Sequence, residues 1–342
     1  MQVIEPPRRV NYKGLAVQYL EGQHSMPAVV IAKGLGIPSK ETGWMFLMNK
    51  LGFNVIYAPY RGTWLSEGKF LPNSNGELSV TKDISDLVDF SFELFGPREV
   101  YIVGDCFGAS PALVSAAKHD EVSKVFTYGG MIYIADADLN RKYKKNGDKS
   151  LKLGLELDKS MREGGELFDG YQGFNLAVWR KMINGRTSLN PYNFLEHLAR
   201  KRIMAMHPRE DRMIHYERSI DFVKALDAYC DEKGLDRVSA LRIVESVGHD
   251  RKGHKTGFGP EQKIEVIELF TGEKSDTLMP KLMEAAAFEE TYEGRIKKED
   301  GSVLRIPFYE LVVHQIEEFK RAKLLKNKPL DMILREIITA ET

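Results

Sequence analysis

The sequence predicts an α/β protein with a mostly parallel central sheet and helices on both faces. Three observations lead to this fold class: short continuous apolar runs, helical segments that alternate with them, and glycine or proline where the runs end. The clearest run is Ala28-Val29-Val30-Ile31-Ala32, which is followed by Lys33-Gly34-Leu35-Gly36. A run this short and apolar suits a strand that is buried on both faces, as strands of parallel sheets are.

The predicted elements follow one another as strand, helix and strand through residues 1–128, which we expect to form the first part of the core. A strand-like segment lies around Leu15 to Leu20, before the run at residues 28–32. The elements after that run are a helix at 42–51, a strand at 54–58, a helix at 80–95, a strand at 100–103, a helix to 118 and a strand at 124–128. This alternation is typical of parallel strands joined by crossover helices.

The alternation stops between residues 129 and 198, where polar, glycine-punctuated helical segments take its place. We expect this region to be a helical cap inserted into the core. The core pattern resumes at residue 199 and continues to 271, with a strand at 202–206, a helix at 219–233, a strand at 240–244 and a helix at 260–270. Residues 272–342 form a predicted C-terminal extension, with a helix at 278–287 and a hairpin around Glu299-Asp300-Gly301. The extension is expected to cover the core or to form a homodimer contact.

Composition and charge limit the classes of function. The chain has 342 residues, 43% of them hydrophobic, which is enough for a large domain with insertions. The 49 basic residues balance the 49 acidic residues, so the chain lacks the net positive charge that favours nucleic acids or anionic membranes. No secretory-type leader or long apolar segment is evident, which predicts a cytoplasmic protein. We therefore expect a small-molecule substrate, no nucleic-acid partner and no membrane association.

The candidate nucleophile is Cys106, in the turn Gly104-Asp105-Cys106-Phe107-Gly108 between a predicted strand and a predicted helix. A strand that runs through Gly-x-nucleophile-x-Gly into a helix strains the nucleophile's backbone, and it requires small flanking residues because strand and helix nearly touch. A thiol at a helix N-terminus beside a histidine ionises more readily, and the thiolate is the nucleophilic form. An isolated cysteine is more often a small buried residue, but the flanking glycines favour a nucleophile.

This turn resembles the nucleophile turn of the α/β-hydrolase family, and the resemblance covers about residues 15 to 270, with cysteine where serine is usual. Dienelactone hydrolases and polyhydroxyalkanoate synthases are similar in using cysteine at this position. The resemblance implies the α/β-hydrolase fold and the chain order nucleophile, acid, histidine. It implies Asp211 as the acid, because Asp211 follows the strand at 202–206 and precedes the apolar pair Met213-Ile214. Glu210 and Asp250 are the competing candidates.

The same resemblance puts the histidine in the loop after the last core strand. His249, in the pair Gly248-His249, fits this position and would act first as general base and then as general acid. His254 lies in the same loop and is the rival candidate. His207 and His215 flank the acid and are expected to line the site or to lie at the surface.

The oxyanion hole would be formed by the backbone N–H groups of Phe107 and Leu35. The family often has His-Gly where this chain has Lys33-Gly34, so Lys33 is either a substrate contact or a solvated strand-end residue. Trp64 is the second candidate substrate contact, with packing as its alternative role. Arg61 lies in a segment that resembles the family's Arg-Gly-x-x-x-Ser motif and is predicted to be structural.

No motif for a metal or cofactor is present. The sequence has no Cys-x-x-Cys pair, no His-Glu-x-x-His and no calcium loop, and the glycines after residue 32 match neither a P-loop nor a dinucleotide fingerprint. We therefore expect neither a cofactor nor a metal.

The predicted triad indicates hydrolysis of an ester or thioester through an acyl-cysteine intermediate. Two alternatives stay open: transfer of the same acyl group to an alcohol, amine or thiol, and a catalytically silent scaffold used for binding. The acyl group is not identified, because the aromatic residues of the predicted cap fit an apolar acyl pocket and a cap core equally well; these residues are Phe168, Tyr171, Phe174 and Trp179.

Overall fold

An eight-stranded mixed sheet forms the centre of the computed structural model. The structure describes residues 7–35, 45, 48–49, 51–63, 65–71, 73–74, 77–163, 171–211, 213–237, 239–244, 260–272, 293–297 and 303–307. The strands of the sheet are β1 (Arg8–Tyr12), β2 (Leu15–Leu20), β3 (Ala28–Ala32), β4 (Asn54–Tyr57), β7 (Val100–Asp105), β8 (Val122–Tyr128), β9 (Arg202–Pro208) and β10 (Ser239–Val244). Two short strands, β5 (Asn73–Ser74) and β6 (Glu77–Leu78), pair with each other outside the sheet.

The strand order is β1-β2-β4-β3-β7-β8-β9-β10. Strand β2 pairs antiparallel with both β1 and β4, and all the other pairs are parallel. The parallel register pairs Ala32 with Gly104, Gly104 with Thr127, and Thr127 with Ala205. The carboxyl ends of β3, β7, β8 and β9 therefore meet at one edge, where open α/β sheets carry their sites.

Helices cover both faces of the sheet, as the sequence predicts. Helices α1 (Ser79–Phe95), α2 (Ala109–Lys118) and α7 (Glu217–Lys233) belong to one apolar cluster, whereas α8 (Pro260–Thr271) belongs to a second. Successive residues of β3 alternate between the two clusters, with Val30 in the first and Val29 and Ile31 in the second. The continuous apolar run of β3 thus reflects burial on both faces.

Helix α1 shows how the sequence sets the ends of an element. Its apolar residues Ile84, Leu87 and Val88 recur at helical spacing and are buried against the sheet. The helix ends at Gly96, which has φ 56° and donates its N–H to the carbonyl of Phe92 at 3.0 Å. This left-handed residue is a common helix C-terminus because glycine adopts it without steric cost.

The described residues between β8 and β9, which leave out 164–170, contain four helices, in agreement with the helical character predicted there. These are α3 (Ala137–Lys145), α4 (Ser150–Glu163), α5 (Leu176–Ile183) and α6 (Leu195–Leu198), the last preceded by a 3₁₀ turn at Pro191–Phe194. Asp136 and Asn175 begin α3 and α5, since each side chain accepts two backbone N–H groups of its own helix. The division into core, cap and extension at residues 128, 198 and 271 stays a prediction.

Several elements differ from the predicted ones. The sequence analysis does not predict strand β1, because its residues do not alternate between apolar and polar. Arg8, Arg9 and Asn11 are all polar, and charged or polar side chains are common in edge strands. The predicted hairpin is confirmed as β11 (Glu293–Lys297) paired antiparallel with β12 (Val303–Pro307). Of the helix predicted at 42–51, residues 45, 48 and 49 are described as helical, and the helix predicted at 278–287 lies outside the described residues. Among the described helices, none is both long enough and apolar enough to span a membrane.

Candidate active site

The turn at Cys106 joins the carboxyl end of β7 to helix α2. Strand β7 ends at Asp105, a 3₁₀ turn covers Cys106–Gly108, and α2 begins at Ala109. Cys106 has φ 51°, in the left-handed region that a non-glycine residue rarely adopts. Such a conformation costs about 1–3 kcal/mol and persists only where the surrounding structure enforces it. The strained strand-turn-helix geometry expected from the sequence is therefore present.

The two flanking glycines are required by close contacts between strand and helix. A Cβ atom on Gly104 would lie 2.8 Å from the Cβ of Ala112, one helical turn into α2. A Cβ atom on Gly108 would lie 1.9 Å from the carbonyl oxygen of Ala32 in β3. Both separations are shorter than the van der Waals contact distance of the atoms involved. Any larger residue would therefore push the helix away from the sheet. The sequence pattern predicted this requirement at both positions.

The loop after β3 lies directly against the candidate nucleophile. A Cβ atom on Gly34 would be 2.9 Å from the Cβ of Cys106 and 3.1 Å from Asp105 Oδ2. The neighbouring Leu35 packs against the main apolar cluster. The two residues predicted for the oxyanion hole are the chain neighbours of this contact, since Leu35 follows Gly34 and Phe107 follows Cys106. Their role as N–H donors to a substrate stays a prediction.

Lys33 is buried, with 5% of its surface exposed, so the solvated strand-end alternative is wrong. Its carbonyl accepts a hydrogen bond from the Tyr60 hydroxyl at 2.7 Å, which fixes the backbone next to Gly34. A buried lysine at this position is compatible with a contact to substrate, which stays a prediction. Trp64, the other candidate substrate contact, lies outside the described residues.

A backbone segment that the sequence analysis did not single out supports the nucleophile from the side of β8. This strap, residues 129–133, donates the Met131 N–H to the carbonyl of Cys106 at 2.8 Å. The Ser110 hydroxyl in turn donates to the Met131 carbonyl at 2.8 Å. A Cβ atom on Gly130 would lie 2.8 Å from the Cβ of Ala109. The Gly129-Gly130 pair at a strand end is the sequence signal that could have identified the strap.

The candidate acid, Asp211, lies in the loop after β9, which we call the acid loop (residues 209–211 and 213–216). Its Oδ1 accepts the N–H groups of Met213 at 2.8 Å and Ile214 at 3.0 Å. These bonds hold the carboxylate in one orientation, buried with 6% of the residue exposed. The competing Glu210 is exposed, whereas Asp250 lies outside the described residues.

Two of the four histidines considered from the sequence are described. His207 is fully buried, with Nδ1 2.8 Å from the Ser219 hydroxyl and Nε2 3.0 Å from the Ile214 carbonyl. It therefore supports the acid loop from within the core. Its Nε2 also lies 3.8 Å from Asp211 Oδ2, so His207 borders the candidate acid, whereas the alternative of a surface position is wrong. The His215 ring stacks on Tyr216 with centroids 4.7 Å apart. His249 and His254 lie outside the described residues.

Tyr128, the last residue of β8, lies between the strand that leads to the nucleophile turn and the strand that leads to the acid loop. Burial raises the pKa of Tyr128, and the negative charges of Asp105 and Asp211 raise this pKa further. Both carboxylates therefore act on the same ring, Asp105 from the end of β7 and Asp211 from the loop after β9. The structure thus brings the Cys106 turn and Asp211 to the same edge of the sheet, on either side of β8.

An aromatic cluster connects the nucleophile turn to the helices between β8 and β9. The fully buried Phe107 ring stacks on Trp179 of α5 with centroids 6.0 Å apart and contacts Tyr60 edge-on at 5.5 Å. Phe70 packs against Phe107 at 5.7 Å and against Tyr171 at 4.9 Å. Trp179 and Tyr171 are buried and act in packing, while Phe168 lies outside the described residues. Helix α5, between β8 and β9, therefore covers the residue that follows Cys106.

Arg61 acts as the structural residue that the sequence predicts. Its guanidinium forms ion pairs with Asp83 and with Asp86, the latter at 2.8 Å, and donates to the Lys13 carbonyl at 2.6 Å. Both aspartates lie on α1 and are buried, so Arg61 ties the chain after β4 to this helix. Within the described ranges, no group of three or more His, Cys, Asp or Glu side chains is arranged to hold a metal ion.

Comparison with known proteins gives similarity of structure only. No family model and no curated protein sequence matches the chain. Acylaminoacyl peptidase from Pyrococcus horikoshii is similar with a TM-score of 0.50 and 17% identity, covering 79% of this chain. The chain spans 42% of the length of that peptidase.

Two shorter proteins are similar over their whole length. Est1E from Butyrivibrio proteoclasticus has a TM-score of 0.48 and 14% identity, covering 83% of this chain and 100% of its own. A bromoperoxidase from Bacillus anthracis has a TM-score of 0.47 and 15% identity, covering 79% of this chain and 100% of its own. The strand order, the strained turn after β7 and the similarity to the peptidase together show that the chain has the α/β-hydrolase fold.

Proposed function

We propose that this chain cleaves an ester or thioester through an acyl-cysteine intermediate. In this proposal Cys106 attacks the carbonyl carbon, His249 transfers the protons and Asp211 orients His249. The observation that carries the proposal is the left-handed conformation of Cys106 between two glycines that no larger residue could replace. A merely structural cysteine does not need a backbone conformation that costs free energy.

The surroundings of Asp211 support its proposed role. Two backbone N–H groups bind Asp211 Oδ1. Because a carboxylate is planar and rigid, these bonds also fix the direction of Oδ2. An acid that orients a histidine has to be held in this way, because a wrongly placed imidazole loses most of its catalytic effect. The burial of the carboxylate strengthens its interaction with a partner through the low local dielectric.

The proposed reaction has two halves that balance. The Cys106 thiolate forms a C–S bond with the acyl carbon, the bond to the leaving alcohol or thiol breaks, and protonated His249 supplies the leaving group's proton. Water then attacks the acyl-cysteine while His249 accepts its proton, and the C–S bond breaks to release the acid and restore the thiolate. The backbone N–H groups of Phe107 and Leu35 would stabilise the oxyanion in both halves.

Acyl transfer is the second candidate function. Cys106 is 6% exposed, and the aromatic cluster covers the residue after it. Exclusion of water from an acyl-enzyme lengthens its lifetime and favours attack by a bound acceptor. In this case an alcohol, amine or thiol replaces water in the second half of the reaction.

The test is intact-protein mass spectrometry after brief exposure to p-nitrophenyl esters and acyl thioesters of different chain length. We expect an adduct of one acyl mass on the wild type, no adduct on Cys106→Ala, and slow formation or decay on His249→Ala. Cys230→Ala is the matched control, because Cys230 is the other buried cysteine and lies on α7, away from the turn. This variant should acylate at the wild-type rate.

The outcomes separate the candidate functions. Release of free acid at the same rate with and without added acceptors supports hydrolysis, whereas acylated acceptor supports transfer. An adduct that forms equally on Cys106→Ala contradicts the proposed nucleophile. Absence of any adduct or turnover across the panel would favour a scaffold that binds without catalysis.

A further inference from the structure

A buried ion pair between Arg218 and Asp148 lies apart from the candidate triad and connects three segments of the chain. Arg218, near the start of α7, is 2% exposed, and the Asp148 side chain, which precedes α4, is 4% exposed. The Arg218 Nε lies 2.7 Å from Asp148 Oδ2, and Nη2 lies 3.5 Å from Oδ1, so the two groups meet in a fork. Tyr143 covers the guanidinium with its ring centroid 4.7 Å away. Two charges with so little exposure need a full set of partners.

Asp148 reaches the acid loop. Its Oδ2 accepts the backbone N–H of His215 at 3.1 Å, and its Oδ1 accepts that of Ser150 at 3.0 Å. The adjacent Lys149 donates its backbone N–H to the carbonyl of Met213 at 2.8 Å. Met213 is one of the two residues whose N–H groups hold the Asp211 carboxylate. The position of Asp148 is therefore transmitted to the candidate acid through backbone hydrogen bonds.

Arg218 contacts the strap that is hydrogen-bonded to the nucleophile. Its Nη1 donates to the carbonyl of Ile132 at 3.1 Å, in the strap that bonds Cys106 through Met131. The fully buried Tyr133 follows Ile132 in the same strap, and burial raises the pKa of its hydroxyl well above the usual range. The Arg218 guanidinium is therefore connected to Cys106 through the strap. It bonds the Ile132 carbonyl, and the preceding residue, Met131, bonds the Cys106 carbonyl.

We propose that the Arg218–Asp148 ion pair is a positioning unit that holds the strap of Cys106 and the loop of Asp211 at one fixed spacing. Neither residue is a catalytic residue, because each acts through backbone groups of its segment. The inference rests on the proposed function, since the spacing matters only if Cys106 and Asp211 work together through His249. A planar fork with fixed hydrogen-bond directions sets relative position in a way that apolar packing does not.

The test compares variants in a Cys230→Ala background, so that alkylation reports on Cys106. Arg218→Met with Asp148→Asn removes both buried charges at once, which avoids leaving one of them unpaired. Two rates are measured: alkylation by iodoacetamide between pH 5 and 10, and acylation by the best ester of the panel. Lys142→Gln is the control, because it removes an ion pair of 3.1 Å between a half-exposed lysine and Glu217 on α7, and Lys142 itself lies outside both the strap and the acid loop.

We expect the folded double variant to lose at least about tenfold in the maximal acylation rate, with a smaller change in KM, because the reacting groups and not the binding surface are displaced. Its alkylation profile should move to higher pH, whereas Lys142→Gln should keep both wild-type values. Arg218→Lys keeps the charge but not the fork, and it should give a smaller shift in the same direction. If the double variant does not fold, Arg218→Lys supplies the same comparison.

The inference also predicts that the effects of Asp148 and Asp211 are not additive. Arg218→Met with Asp148→Asn, added to Asp211→Asn, should lower acylation by less than the two sets of changes do separately, because the ion pair acts in part through the acid loop. A folded double variant with the wild-type alkylation profile would overturn the proposal, and so would fully additive effects. Alkylation of the wild type that is unchanged by both His249→Ala and Asp211→Asn would instead contradict the proposed triad, which makes the two failures distinguishable.

Discussion

Replacing Gly108 with alanine would place a methyl group inside the contact between β3 and the nucleophile turn. Gly108 has φ −65° and ψ −13°, which alanine adopts freely, so any cost comes from contacts alone. The new Cβ would lie 1.9 Å from the Ala32 oxygen and 2.7 Å from the Lys33 oxygen. Carbon and oxygen atoms approach to about 3.3 Å, so the two backbone segments must separate by about 1.4 Å.

Both obstructing atoms belong to the backbone, so a side-chain rotation cannot relieve the clash. Overpacking of a core costs about 1–3 kcal/mol and sometimes more, and we expect a loss of about 3 kcal/mol in the free energy of unfolding. Displacement of the reacting group by about 1 Å should lower the acylation rate of Cys106 by about 100-fold. Urea unfolding and the mass-spectrometric acylation assay measure these two quantities.

Gly234→Ala is the control for this prediction. Gly234 has φ 64°, and an added Cβ would have no neighbouring atom within 4 Å. Alanine there should therefore lower the free energy of unfolding only through the left-handed conformation, by about 1–2 kcal/mol. The acylation rate of this variant should equal that of the wild type. The reasoning is refuted if Gly108→Ala loses no more stability than Gly234→Ala and still acylates at the wild-type rate.

Three further changes test other parts of the structure. Arg61→Met leaves the buried Asp83 without its ion-pair partner and should lower the free energy of unfolding by about 3–5 kcal/mol in urea, and a loss under 1 kcal/mol would contradict the structural role of Arg61. Trp179→Ala removes a fully buried ring and should cost about 3–5 kcal/mol in the same assay; an unchanged midpoint would contradict its packing role. Burial acts to raise the pKa of Asp148, but Arg218 and hydrogen bonds outweigh it and hold this pKa below the ordinary value. The ionised carboxylate therefore stabilises the fold above about pH 4, and this stability is lost as the pH falls further, so wild-type stability should fall more steeply with acid than that of Asp148→Asn.

Local sequence signals predicted the central strands and helices because each of these elements carries its own apolar pattern. The run at residues 28–32 is buried on both faces, and the spacing of Ile84, Leu87 and Val88 gives α1 one buried side. Strand β1 has no such pattern, since its position depends on pairing with β2 and not on burial. The hairpin around residues 299–301 was found from turn chemistry, which is also local.

The candidate site was only partly predictable for the same reason. Gly104 and Gly108 stand next to Cys106 in the sequence, so their close contacts could be anticipated. Arg218 and Asp148 come together across 70 residues, and nothing in the local sequence around either of them indicates the other. The burial of Lys33 and His207 likewise depends on how separate segments pack, which local sequence patterns do not reveal.

The parallel pairing of β8 with β9 has a consequence for the order in which the site assembles. The turn at Cys106 packs against β3, β7 and α2 within the first 118 residues, and the strap that bonds its carbonyl follows at residues 129–133. The acid loop follows β9, which pairs with β8 only after residues 129–201 have been accommodated between them. Closing a connection of this length is slow because the entropy is lost before the contacts form. A chain synthesised only as far as the strap would therefore contain the segments that surround the thiol but not the acid loop.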